Sequence, residues 1–576
     1  MGSQADARPV KPLTVPDTRP RPAPKPEGGA TFDLVALLAV AGLLYLSWPV
    51  HAPLLDRDEP RYAAAARTML ETHDWVVPQF NGVPRYQKPV LIYWLMAGSM
   101  AAFGPSEWSA RLPSALAALG TLALIHLTVR RRWGRRAAWI ASAAFATAPL
   151  VVLWARAAST DSVLTLLLTC TILSGWRATE CDGRVSRRWY VVSATCAGLA
   201  MLTKGPTAPL LFAVTLAIYL ARRRRLLSET RRVPWGTVLT VFLAIGVPWY
   251  VAAYLRDGVG FFEVFDEEHV GRLIEGAGGP TGLRIWGRLV VVGAMLVGLA
   301  PWTPLSLAGA LRRPAGGRGQ PLHELAQAWF WCVLVAFSAS KGQWPSYALP
   351  LAPAAAILAA GWIERVLRSR EREGVAAAVV AGTVLLGLCL ATVLAVTPSV
   401  SRYAPANYRD ALSGSPMSQL LLASAAGVLA ALALFVALWA GRVRVASVVA
   451  MSVAWGATIS LFGLVCVPSV IRELSGPQVV LGRYLAAHAT VPALTYGPRE
   501  PTIVYYADRS VALLNKDDPS FVSMLERALS DKGQALVVTD REGASALAAT
   551  YPAAVEHDAG RLLVCRLGAG AHGSRR

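Results

Sequence analysis

A few short polar runs interrupt an otherwise apolar chain and carry the residue types that group transfer needs. Asp58-Glu59-Pro60-Arg61-Tyr62 reads as the opening of a helix. A carboxylate there can cap the helix, or it can stand in a cavity and take a proton from an acceptor hydroxyl. Tyr86-Gln87-Lys88-Pro89, ahead of Tyr93 and Trp94, can anchor the chain at a membrane interface; alternatively Lys88 holds a phosphate as a point charge. Asp161 opens one apolar run and either caps it or serves as a second acid. Lys204-Gly205-Pro206 forms a tight turn in which the lysine either snorkels or faces a cavity. Glu268 and Arg272 stand four apart on a short polar helix with His269 and can pair with each other or face a cavity. Lys341 and Tyr347 flank a polar break that leaves backbone groups unsatisfied unless it lines a wet space. If these groups share one face, the cations can stabilise a departing anion while a carboxylate deprotonates an incoming hydroxyl.

The elements that must position them are membrane spans. Of 576 residues, 54% are hydrophobic and only 16% charged, against roughly a quarter charged in an average soluble domain. Mean hydropathy is +0.42. This excludes an ordinary soluble enzyme and predicts a polytopic helical membrane protein. The net charge of +20 fits basic loops held on the cytoplasmic side, with no need for a nucleic-acid partner. Thirteen stretches have the roughly 20 apolar residues of a spanning helix: 33–51, 110–129, 137–155, 161–177, 189–203, 206–221, 236–255, 287–309, 324–339, 346–363, 375–397, 418–440 and 445–467. A further stretch at 89–103 is read as interfacial. With that reading, the basic runs at 130–136, 184–188, 222–232, 312–318, 365–372 and 442–444 all face the cytoplasm. The polar clusters then all fall on the opposite face, where Asp56 and Glu267 join them.

Three regions follow. Residues 1–30, dense in proline, read as a disordered cytoplasmic tail rather than a signal peptide. Residues 31–468 form the transmembrane domain, with a first outer loop at 52–109 carrying a helix and the interfacial stretch. Residues 469–576 alternate β-rich runs (Ala493–Tyr496, Thr502–Tyr506, Ala535–Thr539, Leu562–Arg566) with helical ones (Pro519–Asp531, Gly543–Tyr551). That alternation predicts a small extracytoplasmic α/β domain. The seven cysteines lie mostly in apolar runs without a CxxC pair and read as small core residues.

Several of these motifs match, in order, a family of integral-membrane enzymes. The DEPRY run at 58–62, Trp75-x-x-Pro78 and the run from Gln87 through Lys88-Pro89 to Tyr93-Trp94 resemble the GT-C glycosyltransferases. The branch they resemble uses polyprenyl-phosphate sugars and includes the lipid A aminoarabinose transferases and, more remotely, the protein O-mannosyltransferases. Leu202-Thr203-Lys204-Gly205, Glu268-His269-x-x-Arg272 and Pro345-Ser346-Tyr347-x-Leu349-Pro350 match the aminoarabinose branch. The resemblance covers about residues 33–365 and implies a GT-C fold. It also implies transfer of a sugar, with inversion, from undecaprenyl phosphate to a lipid, glycan or protein acceptor on the outer face of the bacterial inner membrane. By motif match Asp58 would be the general base and Asp161 a second acid. Glu59, Arg61 and Tyr62 would shape the cavity. Lys88 and Arg272 would hold the carrier phosphate, with Lys204, Lys341, Tyr347, Glu268 and His269 as further contacts. The aminoarabinose branch has Glu where this chain has Gln87, and that Glu is linked to a metal contact and to the amino sugar. Gln87 is a poor metal ligand, so no metal residue is assigned and the sugar is left open. A secondary transporter and a lipid-linked glycan ligase are the rival readings; the spans, however, do not form two matching halves.

Overall fold

The computed structural model describes residues 29–47, 52–55, 58–266, 289–312, 320–340, 344–368, 415–440 and 467–568, with parts of 380–397 and 450–458. The tail expected at 1–30 lies almost wholly outside the described residues, and the spans expected at 375–397 and 445–467 lie partly outside them.

The chain is a helical bundle with one small sheet unit at its C-terminal end. Helix α1 (Ala30–Leu46) is followed by α2 (Glu59–Thr72), a two-stranded hairpin β1 (Gln79–Phe80) and β2 (Val83–Pro84), and α3 (Leu91–Phe103). Next come α4 (Glu107–Trp133), α5 (Arg135–Ala146), α6 (Pro149–Ala155), α7 (Thr160–Thr179), α8 (Gly183–Lys204) and α9 (Thr207–Arg222). Six described helices are long and apolar enough to cross a membrane: α4, α7, Trp235–Asp257, Gln320–Ala339, Pro345–Leu367 and Ser418–Ala437. Two bent pairs bring the number to eight. Helix α3 has 13 residues, about 20 Å at 1.5 Å per residue, short of the roughly 30 Å of a hydrocarbon core. It lies in the stretch 89–103 read from the sequence as interfacial; Ala30–Leu46 and Thr207–Arg222, which overlap the spans expected at 33–51 and 206–221, are likewise shorter apolar helices.

Two expected straight spans are broken. In place of 137–155, α5 and α6 meet at 65°; in place of 287–309, Val290–Gly298 and Thr303–Leu311 meet at 112°. Pro149 stands at the first break and Pro301 and Pro304 at the second. Proline lacks the amide that would continue the helical ladder, and its ring clashes with the preceding turn.

The C-terminal unit contains β3 (Ala493–Tyr496), β4 (Gln534–Thr539), β5 (Ala553–Asp558) and β6 (Leu563–Gly568) in the order β3-β4-β6-β5. β3 runs parallel to β4, whereas β6 is antiparallel to both β4 and β5. Three of the four strand runs read from sequence are present. Thr502–Tyr506 is not a strand: it lies in the helix Pro501–Ala507. Pro501 in its first turn suits a helix start, and a short buried apolar run has no periodicity of its own to separate helix from strand. β5 escaped notice because its alternation is weak.

Candidate functional site

The site is built where α2 starts, just after the backbone segment 52–55. Asp58 immediately precedes α2 and Pro60 sits in its first turn. The capping reading of Asp58 does not hold, since its side chain makes no cap hydrogen bond. It is 69% exposed, and Arg85 Nη2 lies 4.0 Å from its Oδ1.

Glu59, expected among the cavity residues, is instead an internal tie. Its Oε1 accepts from Arg111 Nε at 3.2 Å and Ala158 N at 2.5 Å, and its Oε2 from Arg111 Nη2 at 2.8 Å and Leu55 N at 2.6 Å. Both oxygens are occupied by donors from the protein itself. Arg111 also donates to Ala52 O at 2.8 Å and Pro53 O at 2.7 Å. One buried ion pair thus fixes the 52–55 backbone, the start of α2, α4 and the turn before α7 relative to one another.

A second group forms around Arg85. Asn81 and Gly82 have φ of 57° and 77°, the left-handed pair that a tight two-residue hairpin requires. The hairpin delivers Arg85, whose N–H donates to Pro78 O at 2.7 Å. The Arg85 guanidinium is buried and lies 5.3 Å from the Tyr62 ring centroid. The Tyr62 and Tyr93 rings meet edge to face at 5.8 Å. Burial alone would make Arg85 easier to deprotonate, but Tyr93, Tyr62 and Asp58 outweigh it and raise its pKa. Burial, reinforced by the charge on Asp58, pushes the Tyr62 phenol well above its ordinary value. The group therefore carries a fixed cation and a protonated phenol beside an exposed carboxylate. Arg61 is half-buried on the same helix.

The third group joins α7, α8 and the segment after Gln320–Ala339. Ser159, rather than Asp161, caps α7. Asp161 is buried; its Oδ1 accepts from Lys204 Nζ at 2.6 Å and its Oδ2 from Trp154 Nε1 at 3.2 Å. Lys204 is the last residue of α8, which ends at Gly205 with φ +66°. Its ammonium lies 4.6 Å from the Tyr347 ring centroid, a cation–π contact. Lys88 is half-buried, donates to Gln87 O at 2.9 Å and contributes to the field at Asp161. The field of Asp58 is felt at Lys204, which links this group to the second.

Asp58, Tyr62, Lys88, Asp161, Lys204 and Tyr347, scattered over nearly 300 residues of sequence, thus fall in one region. Glu267, Glu268, His269, Arg272 and Lys341 lie outside the described residues, as does Asp56. Sequence reasoning missed Arg85 and Arg111. Arg111 had a usable signal, because an arginine inside an apolar span needs a buried partner. Among the described residues no three His, Cys, Asp or Glu side chains gather. Gln87 Oε1 is buried and has no hydrogen-bond partner among the described residues.

Residues 87–251 match the family described as dolichyl-phosphate-mannose-protein mannosyltransferase. The chain is 31% identical over 313 residues to an undecaprenyl phosphate-alpha-4-amino-4-deoxy-L-arabinose arabinosyl transferase of Shewanella sediminis, covering 54% of this chain and 56% of that one. It is also 31% identical over 369 residues to the enzyme of that name from Aeromonas salmonicida, covering 63% and 66%. The matched region thus spans less than two thirds of either relative. In three dimensions the chain is similar to ArnT of Cupriavidus metallidurans, solved with undecaprenyl phosphate bound, at a TM-score of 0.77 and 22% identity over 95% of this chain and all of that one. An apo oligosaccharyltransferase of Archaeoglobus fulgidus shares the architecture more loosely, at a TM-score of 0.51 and 12% identity over 89% of this chain and 70% of that one. The chain thus has a polytopic helical fold shared with ArnT, and in sequence it resembles the GT-C polyprenyl-phosphate-sugar-dependent glycosyltransferases.

Proposed function

We propose that this protein is a membrane glycosyltransferase that moves a sugar from a polyprenyl phosphate carrier to a hydroxyl of a lipid or glycan acceptor, with inversion. The observation that carries the reading is the exposed carboxylate of Asp58 within 4.0 Å of the buried guanidinium of Arg85. Lys88 and the Asp161–Lys204–Tyr347 group complete the cluster. Asp58 takes the proton as the acceptor oxygen attacks the anomeric carbon. The bond from that carbon to the phosphate oxygen breaks, and its electron pair leaves on polyprenyl phosphate. Lys88 and Arg85 offset the charge that develops there. Asp161 is already hydrogen-bonded to Lys204 and Trp154, so its part is to hold that lysine toward the phosphate rather than to accept a proton. The purified protein, incubated with undecaprenyl-phosphate-linked sugars and an acceptor-lipid extract, is expected to release undecaprenyl phosphate. A transporter would release none.

Lys88→Ala should weaken donor binding. A charge-assisted contact to phosphate contributes about 1.5–3 kcal/mol, or roughly 10- to 150-fold in affinity. Undecaprenyl phosphate titrated into wild type and variant checks this. Unchanged affinity would leave Lys88 as an interfacial anchor.

The site faces away from the cytoplasm in this reading, across the bacterial inner membrane. Leu95 and Ser228 are both exposed, so Leu95→Cys and Ser228→Cys report on opposite faces. An impermeant thiol reagent added to intact spheroplasts of a background lacking the native cysteines should label position 95 and spare 228. The reverse pattern would invert the orientation.

A further inference from the structure

The C-terminal sheet unit grips the segment that leads into the candidate base. The helix Pro501–Ala507 packs against α2. The Tyr506 hydroxyl donates to Glu107 Oε1 at 2.7 Å and accepts from Leu54 N at 3.3 Å. Two further contacts bring the unit to the same place. Arg67 on α2 donates to Tyr505 O at 3.0 Å, pairs with Asp508 at 2.9 Å and lies 4.9 Å from the Tyr505 ring centroid. On the hairpin that carries Arg85, Asn81 Nδ2 donates to Val511 O at 2.8 Å, while Asn81 Oδ1 accepts from Val511 N at 2.9 Å.

Among the described residues, three side chains hydrogen-bond the backbone from 52 to 55. Arg111 binds the carbonyls of Ala52 and Pro53, Glu59 binds the amide of Leu55, and Tyr506 binds the amide of Leu54. The first two belong to the bundle, and only Tyr506 comes from the C-terminal unit. Burial, and then the charge of Glu107, pushes the Tyr506 phenol upward, so it stays protonated and orients its donor to Glu107. That orientation leaves its lone pairs for Leu54. A phenylalanine would fill the same space against Tyr505, whose ring it meets edge to face at 5.0 Å, but could make neither hydrogen bond.

We propose that the C-terminal unit is a positioning element of the site, and that the Tyr506 hydroxyl sets the entry to α2 and with it the carboxylate of Asp58. This rests on Asp58 being the base of a transfer reaction. Tyr506→Phe is tested in the full-length protein by hydrogen exchange of peptides covering 52–62, by titration with undecaprenyl phosphate, and by release of undecaprenyl phosphate from its linked sugars. Exchange at 52–58 should rise about tenfold and turnover should fall roughly tenfold, in line with the loss of one charge-assisted hydrogen bond. Affinity for undecaprenyl phosphate and the melting temperature should stay as in wild type. A purely structural tyrosine would instead lower the melting temperature and leave exchange at 52–58 no more affected than elsewhere, which would overturn the proposal, as would normal exchange with normal turnover. Should Tyr506→Phe fail to fold, Glu107→Gln weakens the same contact from the bundle side and should raise exchange at the same peptides; no rise there also overturns it. Asp58→Asn is assayed in parallel. If Asp58→Asn stays active, the assignment of Asp58 as the base is lost while the exchange data still decide the clamp. If it is dead and Tyr506→Phe turns over normally, only the clamp fails.

Discussion

Asp58→Asn should insert and melt like the wild type, yet transfer sugar at least about a hundredfold more slowly, because losing a general base costs roughly 10²–10⁴ in rate. The two side chains have nearly the same shape. The one described cation beside Asp58 is the buried Arg85 guanidinium at 4.0 Å, and the carboxylate itself is 69% exposed; solvent around that carboxylate screens so long a contact to about 0–1 kcal/mol. No cap hydrogen bond is at stake, since Asp58 makes none. Stability and chemistry are therefore separable at this position. An amide cannot take the proton of the acceptor hydroxyl at neutral pH, whatever its geometry. The measurement is turnover at saturating donor, with thermal unfolding of the same preparations. Near-normal turnover would move the base to another carboxylate, and Asp56 would then be the stronger candidate, because Asp161 already accepts from Lys204 and Trp154. Loss of folding along with activity would make the carboxylate a local structural group.

What the sequence made legible was the set of isolated charges at the ends of apolar runs. Asp58, Lys88, Asp161 and Lys204 stand out because a charge near a membrane is costly without a purpose. Their partners were not legible. Lys204 meets Asp161 from 43 residues away, and only the packing of α7 on α8 decides that. Glu59 sits next to Asp58 and looks like its equal, yet one carboxylate is enclosed by four donors and the other is open to solvent. Adjacent residues at a helix start point in different directions, and composition is blind to that. The bends of 65° and 112° at Pro149 and Pro301 were not read from the sequence, where 137–155 and 287–309 stood as single spans; an apolar run long enough to cross hides the proline that breaks it. Thr502–Tyr506 shows the complementary failure. A run of five residues fits either a buried strand or one helical turn, and the contact of Pro501–Ala507 with α2 settled it as helix.

The tie between Arg111 and Glu59 carries the largest expected effect on stability. Their side chains are 6% and 9% exposed and lie 2.8 Å apart. Removing one member leaves the other buried and uncompensated, which costs about 3–5 kcal/mol, whereas removing both charges is often close to neutral. Arg111→Met should therefore lower the unfolding midpoint steeply. It removes the donors to Ala52 O and Pro53 O as well as those to Glu59. Arg111→Met with Glu59→Gln should recover part of the loss, because the amide keeps an acceptor for Leu55 N or Ala158 N without the unpaired charge. Recovery should not be complete, since the two carbonyls stay without their guanidinium. The coupling is read from a double-mutant cycle on unfolding midpoints in detergent, where residues of one network deviate from additivity by about 0.5–3 kcal/mol. Additive single-mutant effects, or an Arg111→Met protein that melts with the wild type, would mean that the 52–55 segment is held by something else. The same cycle bears on the reaction. Because Glu59 is the residue after Asp58, a double mutant that regains stability while staying slow would show that the tie aims the neighbouring carboxylate as well as holding the fold.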